Sequence, residues 1–155
     1  MRVFRRFIVL DRAERSLLWQ SWRALWAFRL GLWLLPLPRL RSLAAKSWHA
    51  ASAEPNSAKS NSAKSNDANQ VSPAKIGLAI TRASRAVPHS TCLVQALGAQ
   101  WVLGRRGWDS HLHVGVIKQQ GRLGAHAWIE CEGATVVGGE GLERYTPILR
   151  WENGI

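Results

Sequence analysis

Cys92 follows Ser90 and Thr91 directly and heads "CLVQALGAQWVLG", an apolar run with the period of a helix. A thiol is a weak nucleophile until it loses its proton, and the first turn of a helix favours the anion through its free N–H groups and partial positive charge. An imidazole within reach would complete a thiolate–imidazolium pair, and the Cys92 amide is itself a donor for an oxyanion. Five histidines are available: His49, His89, His111, His113 and His126. His49 lies beside a low-complexity stretch, and His89 is only three residues before the thiol. His111 and His113 share a strand face as a His-x-His pair, a pattern that also suits a metal. His126 begins a strand, "AHAWIEC", just after a glycine turn, with Trp128 on the same face to shield it from water.

The elements that must position these groups read as helix, helix and three strands. "AKIGLAITRASRAV" brings Ile76, Ala79, Ile80 and Ala83 to one helical face before Pro88, and the Cys92 helix is expected to end near Gly107 with Arg105 and Arg106 in its last turn. From His111 the period changes to two. "HLHVGVIKQ", "AHAWIECE" and "ATVVG" predict short strands, the last two joined by a turn at Glu132-Gly133. The order predicts an α+β domain with an antiparallel sheet.

Length and composition set the frame. With 155 residues and 17.3 kDa the chain has room for one core rather than two. Residues 74–155 hold the patterned region. Ahead of it, residues 50–73 contain "NSAKS" twice in succession, a composition that predicts a disordered linker. Residues 1–49 form a basic segment whose helix is expected from about Ala13 to Leu35, closed by Pro36 and Pro38. Trp19, Trp22, Trp26 and Trp33 make one stripe on that helix. The favoured reading packs these indoles onto the rest of the fold. The sharper one makes them an interfacial or partner-docking face flanked by Arg15, Arg23 and Arg29.

The net charge of +11 is concentrated at the start, where residues 1–50 carry ten Lys and Arg against Asp11 and Glu14. Such a balance suits an acidic peptide or an anionic lipid surface. Nucleic acid is not expected as a partner, because no recognised nucleic-acid motif with interleaved aromatics is present. Two cysteines are too few for a disulfide framework and fit a reducing compartment. The opening "FIVL" is too short for a secretory signal. A cytoplasmic protein is expected, with membrane association through the first helix as the variation. No Gly-rich phosphate loop occurs, and the Cys and His spacings fit no compact zinc pattern, so neither cofactor nor metal is expected.

"CLVQALGAQWVLGRRG", then "LHVGV", then "AHAWIECEG" with "VVGGEGLERYTPIL", resembles the transglutaminase-like cysteine peptidases of lasso-peptide biosynthesis, the leader-peptide-removing B proteins. The resemblance covers Ala74 to Leu149, and the leucines and closing prolines of the first helix look like the segment that precedes the peptidase core in that family. It implies a papain-like fold, Cys92 as nucleophile and His126 as base. It also implies a precursor peptide as substrate, a separate leader-recognition protein and, in the same biosynthesis, an asparagine-synthetase-like cyclase.

Members with a complete triad carry an Asp about twelve positions after the histidine, where this chain has Gly138. Glu140 is the nearest substitute for that acid. Glu130 shares a strand face with His126 but lies ~13 Å along the strand; a backbone carbonyl or a side-chain amide is the other way to orient the ring. The glutamine that usually helps the oxyanion hole of papain-type enzymes has no counterpart upstream of Cys92. Cys131 faces away from His126 by alternation and reads as structural. The reading from another class is a non-catalytic transglutaminase-like adaptor that binds a peptide or a membrane.

Overall fold

The computed structural model describes residues 12–34, 36, 39, 71–119 and 121–152. Three helices and four strands follow one another in the order α1 (Arg12–Leu34), α2 (Pro73–Ser84), α3 (Cys92–Gly104), β1 (Ser110–Gln119), β2 (Arg122–Cys131), β3 (Ala134–Val137) and β4 (Thr146–Glu152). The low-complexity stretch at residues 50–70 and His49 lie outside the described residues, and α2 starts at Pro73, the last residue of the expected linker.

Helix α3 is the centre of the fold. Val94, Ala96 to Gln100, Val102 and Leu103 are all buried, so the helix is covered on nearly every side. Helices α1 and α2 pack on it from one direction and β1 and β2 from the other. Leu17, Ala24, Leu25 and Phe28 of α1 belong to the same hydrophobic core as Ile76, Ile80, Leu97, Leu112 and Ile129. The first helix is thus built into the core that carries α3.

The sheet has the order β3-β2-β1-β4 and is antiparallel throughout. The hairpin between β2 and β3 turns at Glu132 and Gly133, both at positive φ (53° and 76°), the pairing that a two-residue turn needs to match strand twist. Alternation puts Leu112 on β1 and Ala127, Ile129 and Cys131 on β2 on one face, where they are buried in the core against α3. The opposite face carries His111, His113, His126, Trp128 and Glu130.

Three expectations need correction. Helix α3 ends at Gly104 rather than near Gly107, so Arg105 is its C-cap and Arg106 lies beyond it, and neither is in the last turn. A fourth strand, β4, pairs with β1 where only three strands are expected. And the tryptophans are not the core face of α1: Trp19 and Trp33 are 63% and 83% exposed, while Trp22 and Trp26 are half-buried against the margin of the core. The inward face is Leu17, Ser21, Ala24, Leu25, Phe28 and Gly31. The physical reason is the closeness of the helices: a Cβ on Gly98 of α3 would lie 3.2 Å from Leu25 Cδ2, which leaves no room for indoles. The rings pack on one another instead, with Trp19 and Trp22 edge to face at 5.2 Å. Among the described residues no helix is long and apolar enough to cross a membrane.

Helix α2 closes over the β3 edge, and Gly77 is the point of contact. A Cβ there would stand 2.2 Å from the Val136 carbonyl oxygen, a backbone atom that cannot swing away. Gly77→Ala is therefore expected to cost about 1–3 kcal/mol in denaturant unfolding, as overpacking does. Leu78→Ala, at the exposed neighbouring position, should stay within about 0.5 kcal/mol. Equal unfolding midpoints for the two variants would contradict this packing.

Candidate active site

Cys92 is the first residue of α3, with Thr91 as N-cap. The Val94 amide donates to Thr91 Oγ1 at 3.4 Å and the Gln95 amide to the Thr91 carbonyl at 3.0 Å. Among the described residues, the amides of Cys92 and Leu93 have no such acceptor. The loop ahead of the thiol is tied down on both sides: Gln95 Nε2 donates to the Ser90 carbonyl at 3.1 Å, and Arg29 Nη1 of α1 donates to the His89 carbonyl at 3.4 Å. His89 itself sits at φ 55°, a left-handed conformation that a residue other than glycine adopts at a cost of about 1–2 kcal/mol. Cys92 is half-buried at the margin of the core, so its thiol is neither sealed inside nor freely exposed. A helix start with two unclaimed amides beside a thiol favours both a thiolate and an oxyanion.

His126 lies on β2, paired with Gly115 across β1. Its Nε2 is 2.8 Å from the Gly138 carbonyl oxygen. A carbonyl only accepts, so this bond assigns the proton to Nε2 and leaves the lone pair of the neutral ring on Nδ1. Gly138 is the position at which the resemblance to the lasso-peptide B proteins leads to the expectation of an Asp. Its φ of 77° belongs to glycine, and a Cβ there would come within 2.8 Å of the Ala127 carbonyl and 3.2 Å of His126 Nε2. At this position the ring meets a backbone carbonyl rather than a side chain.

Glu140, the expected substitute, is exposed and makes no hydrogen bond or ion pair among the described residues. Glu130 is engaged elsewhere, its Oε2 lying 3.2 Å from His113 Nε2. His111 likewise faces Glu152, at 3.4 Å. Burial holds the His113 imidazole below its ordinary value of 6.5, outweighing the upward pull of Glu130. Among the described residues no group of three or more His, Cys, Asp or Glu side chains is arranged to hold a metal ion.

Cys92 heads α3, which packs against β1 and β2, while alternation along β2 places His126 on the sheet face turned away from that helix. Cys131, Ile129 and Ala127 are covered, whereas Ala125 is exposed and Leu123 is 79% exposed, so the covering of β2 stops beside His126. Among the described residues no hydrogen bond joins Cys92 to His126. What the structure does bring together is His126, Gly138, Trp128 and Tyr145, the last of which the sequence did not single out; its only signal was an aromatic in an otherwise plain stretch, "ERYTPIL".

The two thiols differ sharply in setting. Cys131 is 1% exposed, and burial, followed by Glu132 and Asp109, pushes its pKa up to about 11. Iodoacetamide at neutral pH should therefore modify the native chain once, at Cys92, with Cys131 reacting only after unfolding. Peptide mapping of the alkylated protein reads the outcome, and label on native Cys131 would contradict it.

The family model of the transglutaminase-like superfamily matches residues 31–150, which takes in α2, α3 and β1 to β3 whole, with the first five residues of β4. No curated protein and no solved structure matches the chain. The match covers well over half of the sequence and includes Cys92, His126 and Gly138. The α+β arrangement of helices on a four-stranded antiparallel sheet agrees with it, and the chain belongs to the transglutaminase-like superfamily.

Proposed function

We propose that this protein is a cysteine peptidase that removes the leader from a ribosomally made, lasso-type precursor peptide. The observation that carries the reading is the hydrogen bond from His126 Nε2 to the Gly138 carbonyl, which leaves the lone pair of the neutral ring on Nδ1 to act as a base. In this mechanism Cys92 gives its proton to His126 Nδ1 and its sulfur attacks the scissile carbonyl. The Cys92 and Leu93 amides donate to the oxyanion that forms. The imidazolium then protonates the leaving amine, the C–N bond breaks, and the leader stays on Cys92 as a thioester. Water, deprotonated by Nδ1, releases it and restores the thiol. The mechanism requires the His126 imidazole, which strand alternation places on the sheet face away from α3, to reach the Cys92 sulfur in the substrate complex.

Through the whole cycle Nε2–H donates to Gly138. The carbonyl keeps the ring in one tautomer and orientation, as an orienting acid would, but supplies only a dipole to offset the imidazolium charge. Loss of an orienting acid costs less than loss of nucleophile or base, so a dyad held by a carbonyl remains a workable peptidase. Leader recognition falls to a separate protein, and the basic outer face of α1, with Trp19 and Trp33 exposed, is its docking surface. The linear core peptide that results is the substrate for a cyclase of the asparagine-synthetase type.

The second reading, a non-catalytic adaptor, draws on the absent acid. Incubating the chain with precursor and leader-binding partner, with mass spectrometry of the products, separates the two. Wild type and Glu140→Gln should cleave within about twofold of each other, while Cys92→Ala should lose on the order of 10³-fold or more. Equal cleavage by Cys92→Ala ends the nucleophile assignment, and a wild type that binds precursor without cutting it leaves the adaptor. Supplying the acid should not help: Gly138→Asp, which strains the backbone and crowds His126, is expected to cut at least about tenfold more slowly. Faster cleavage by that variant would mean that Gly138 marks a missing group rather than a working one.

A further inference from the structure

The imidazole of His126 is held by more than its hydrogen bond. On the sheet face turned away from α3, four rings form a row: His113 stacks on Trp128 at 5.2 Å and 7°, Trp128 on His126 at 6.3 Å and 19°, and His126 meets Tyr145 at 5.2 Å and 35°. Glu130 stands at the far end of the row, beside His113 Nε2. Tyr145 is the residue from outside the β1–β2 hairpin: it follows the short 3-10 turn Leu142–Arg144 and leads into β4.

Space for this row comes from Gly115, which pairs with His126 across the hairpin. A Cβ on Gly115 would stand 3.0 Å from Trp128 Cζ3, 3.1 Å from its Cη2 and 3.1 Å from Tyr145 Cβ. The indole and the tyrosine therefore share the gap that a side chain would fill. Strand β4 is displaced at the same level, with its register shifting between Val114 and Gly115 so that Pro147 rather than Ile148 faces Gly115. Tyr145, directly before β4, meets His126 next to this shifted pairing.

We infer that Tyr145 is a positioning residue for His126: its ring closes the side of the imidazole that Trp128 leaves open, so that the ring cannot turn over and exchange Nδ1 for Nε2. The inference rests on the reading of His126 as the base. A single hydrogen bond to Gly138 fixes one atom of the imidazole; the two flanking rings fix its plane. The phenol ring supplies this contact whether or not it carries a hydroxyl. Phenylalanine therefore serves in its place, and leucine, of comparable bulk but without a flat face, does not.

The test compares Tyr145→Phe, Tyr145→Leu and Tyr145→Ala in the full chain, each first shown to melt as one cooperative transition. Carbon–proton spectra of the histidine rings, with His126→Gln to assign the His126 signals, should give one sharp set for wild type and Tyr145→Phe. Tyr145→Leu and Tyr145→Ala should give a broadened or doubled set. With precursor and leader-binding partner, kcat should fall about tenfold or more in those two variants with KM within twofold, as misplacement of a reacting group produces. Tyr145→Phe should restore it. A single sharp His126 set in Tyr145→Ala, or Tyr145→Phe as slow as Tyr145→Ala, would overturn the assignment. If wild type does not cleave at all, the peptidase reading fails by itself, and the ring spectra still decide what Tyr145 does.

Discussion

A single hydrogen bond, from His126 Nε2 to the Gly138 carbonyl, settles which nitrogen of the candidate base can act. The rest of the site is arranged around that constraint. A carbonyl is a weaker partner for an imidazolium than a carboxylate, because it contributes a dipole and no net charge. It has the compensating property that it cannot be protonated in the working pH range and belongs to the backbone that directly follows β3. The backbone at Gly138 is held in turn by the absence of a side chain, since a Cβ would meet the Ala127 carbonyl at 2.8 Å. Orientation is thus guaranteed by sheet geometry rather than by a rotatable acid.

That geometry depends on α3. The helix is buried nearly all round and receives α1 and α2 on one side and the sheet on the other, so its first residue has little freedom to wander. Gly77 lets α2 press against β3, Gly98 lets α1 approach α3, and Gly115 makes room for Trp128 and Tyr145. Each close approach draws elements that are remote in sequence into one rigid frame. The loop before Cys92 is part of the same frame: Gln95 from α3 and Arg29 from α1 hold its carbonyls. The first helix, basic and rich in tryptophan, is accordingly both a structural support of the loop before Cys92 and a solvent-facing surface.

The parts that were legible in the sequence are those in which side-chain type carries the information. A Ser-Thr-Cys start before an apolar helical run placed Cys92 at the head of α3, and period-two alternation found β1, β2 and β3. Strand β4 escaped because "TPILRWE" does not alternate: it lies at the sheet edge with all but Trp151 exposed, and Pro147 argues against a strand. The tryptophan stripe misled for a related reason. Periodicity shows that residues share a face but not which face is turned inward, and the tight crossing of α1 on α3 admits only smaller side chains. The Gly138 carbonyl could be considered but not located, because every residue has one and only the fold decides which reaches a given imidazole. Tyr145 meets His126 next to a register shift in an unrecognised strand.

The most direct measurement of the central claim is nitrogen NMR of the histidine-labelled wild-type chain at a pH where His126 is neutral. The account predicts a proton on Nε2 of His126, slow to exchange with water and coupled through its hydrogen bond to the Gly138 carbonyl carbon, with Nδ1 bare. A proton found on Nδ1, or one averaged over the two nitrogens, would contradict it and remove His126 as the base.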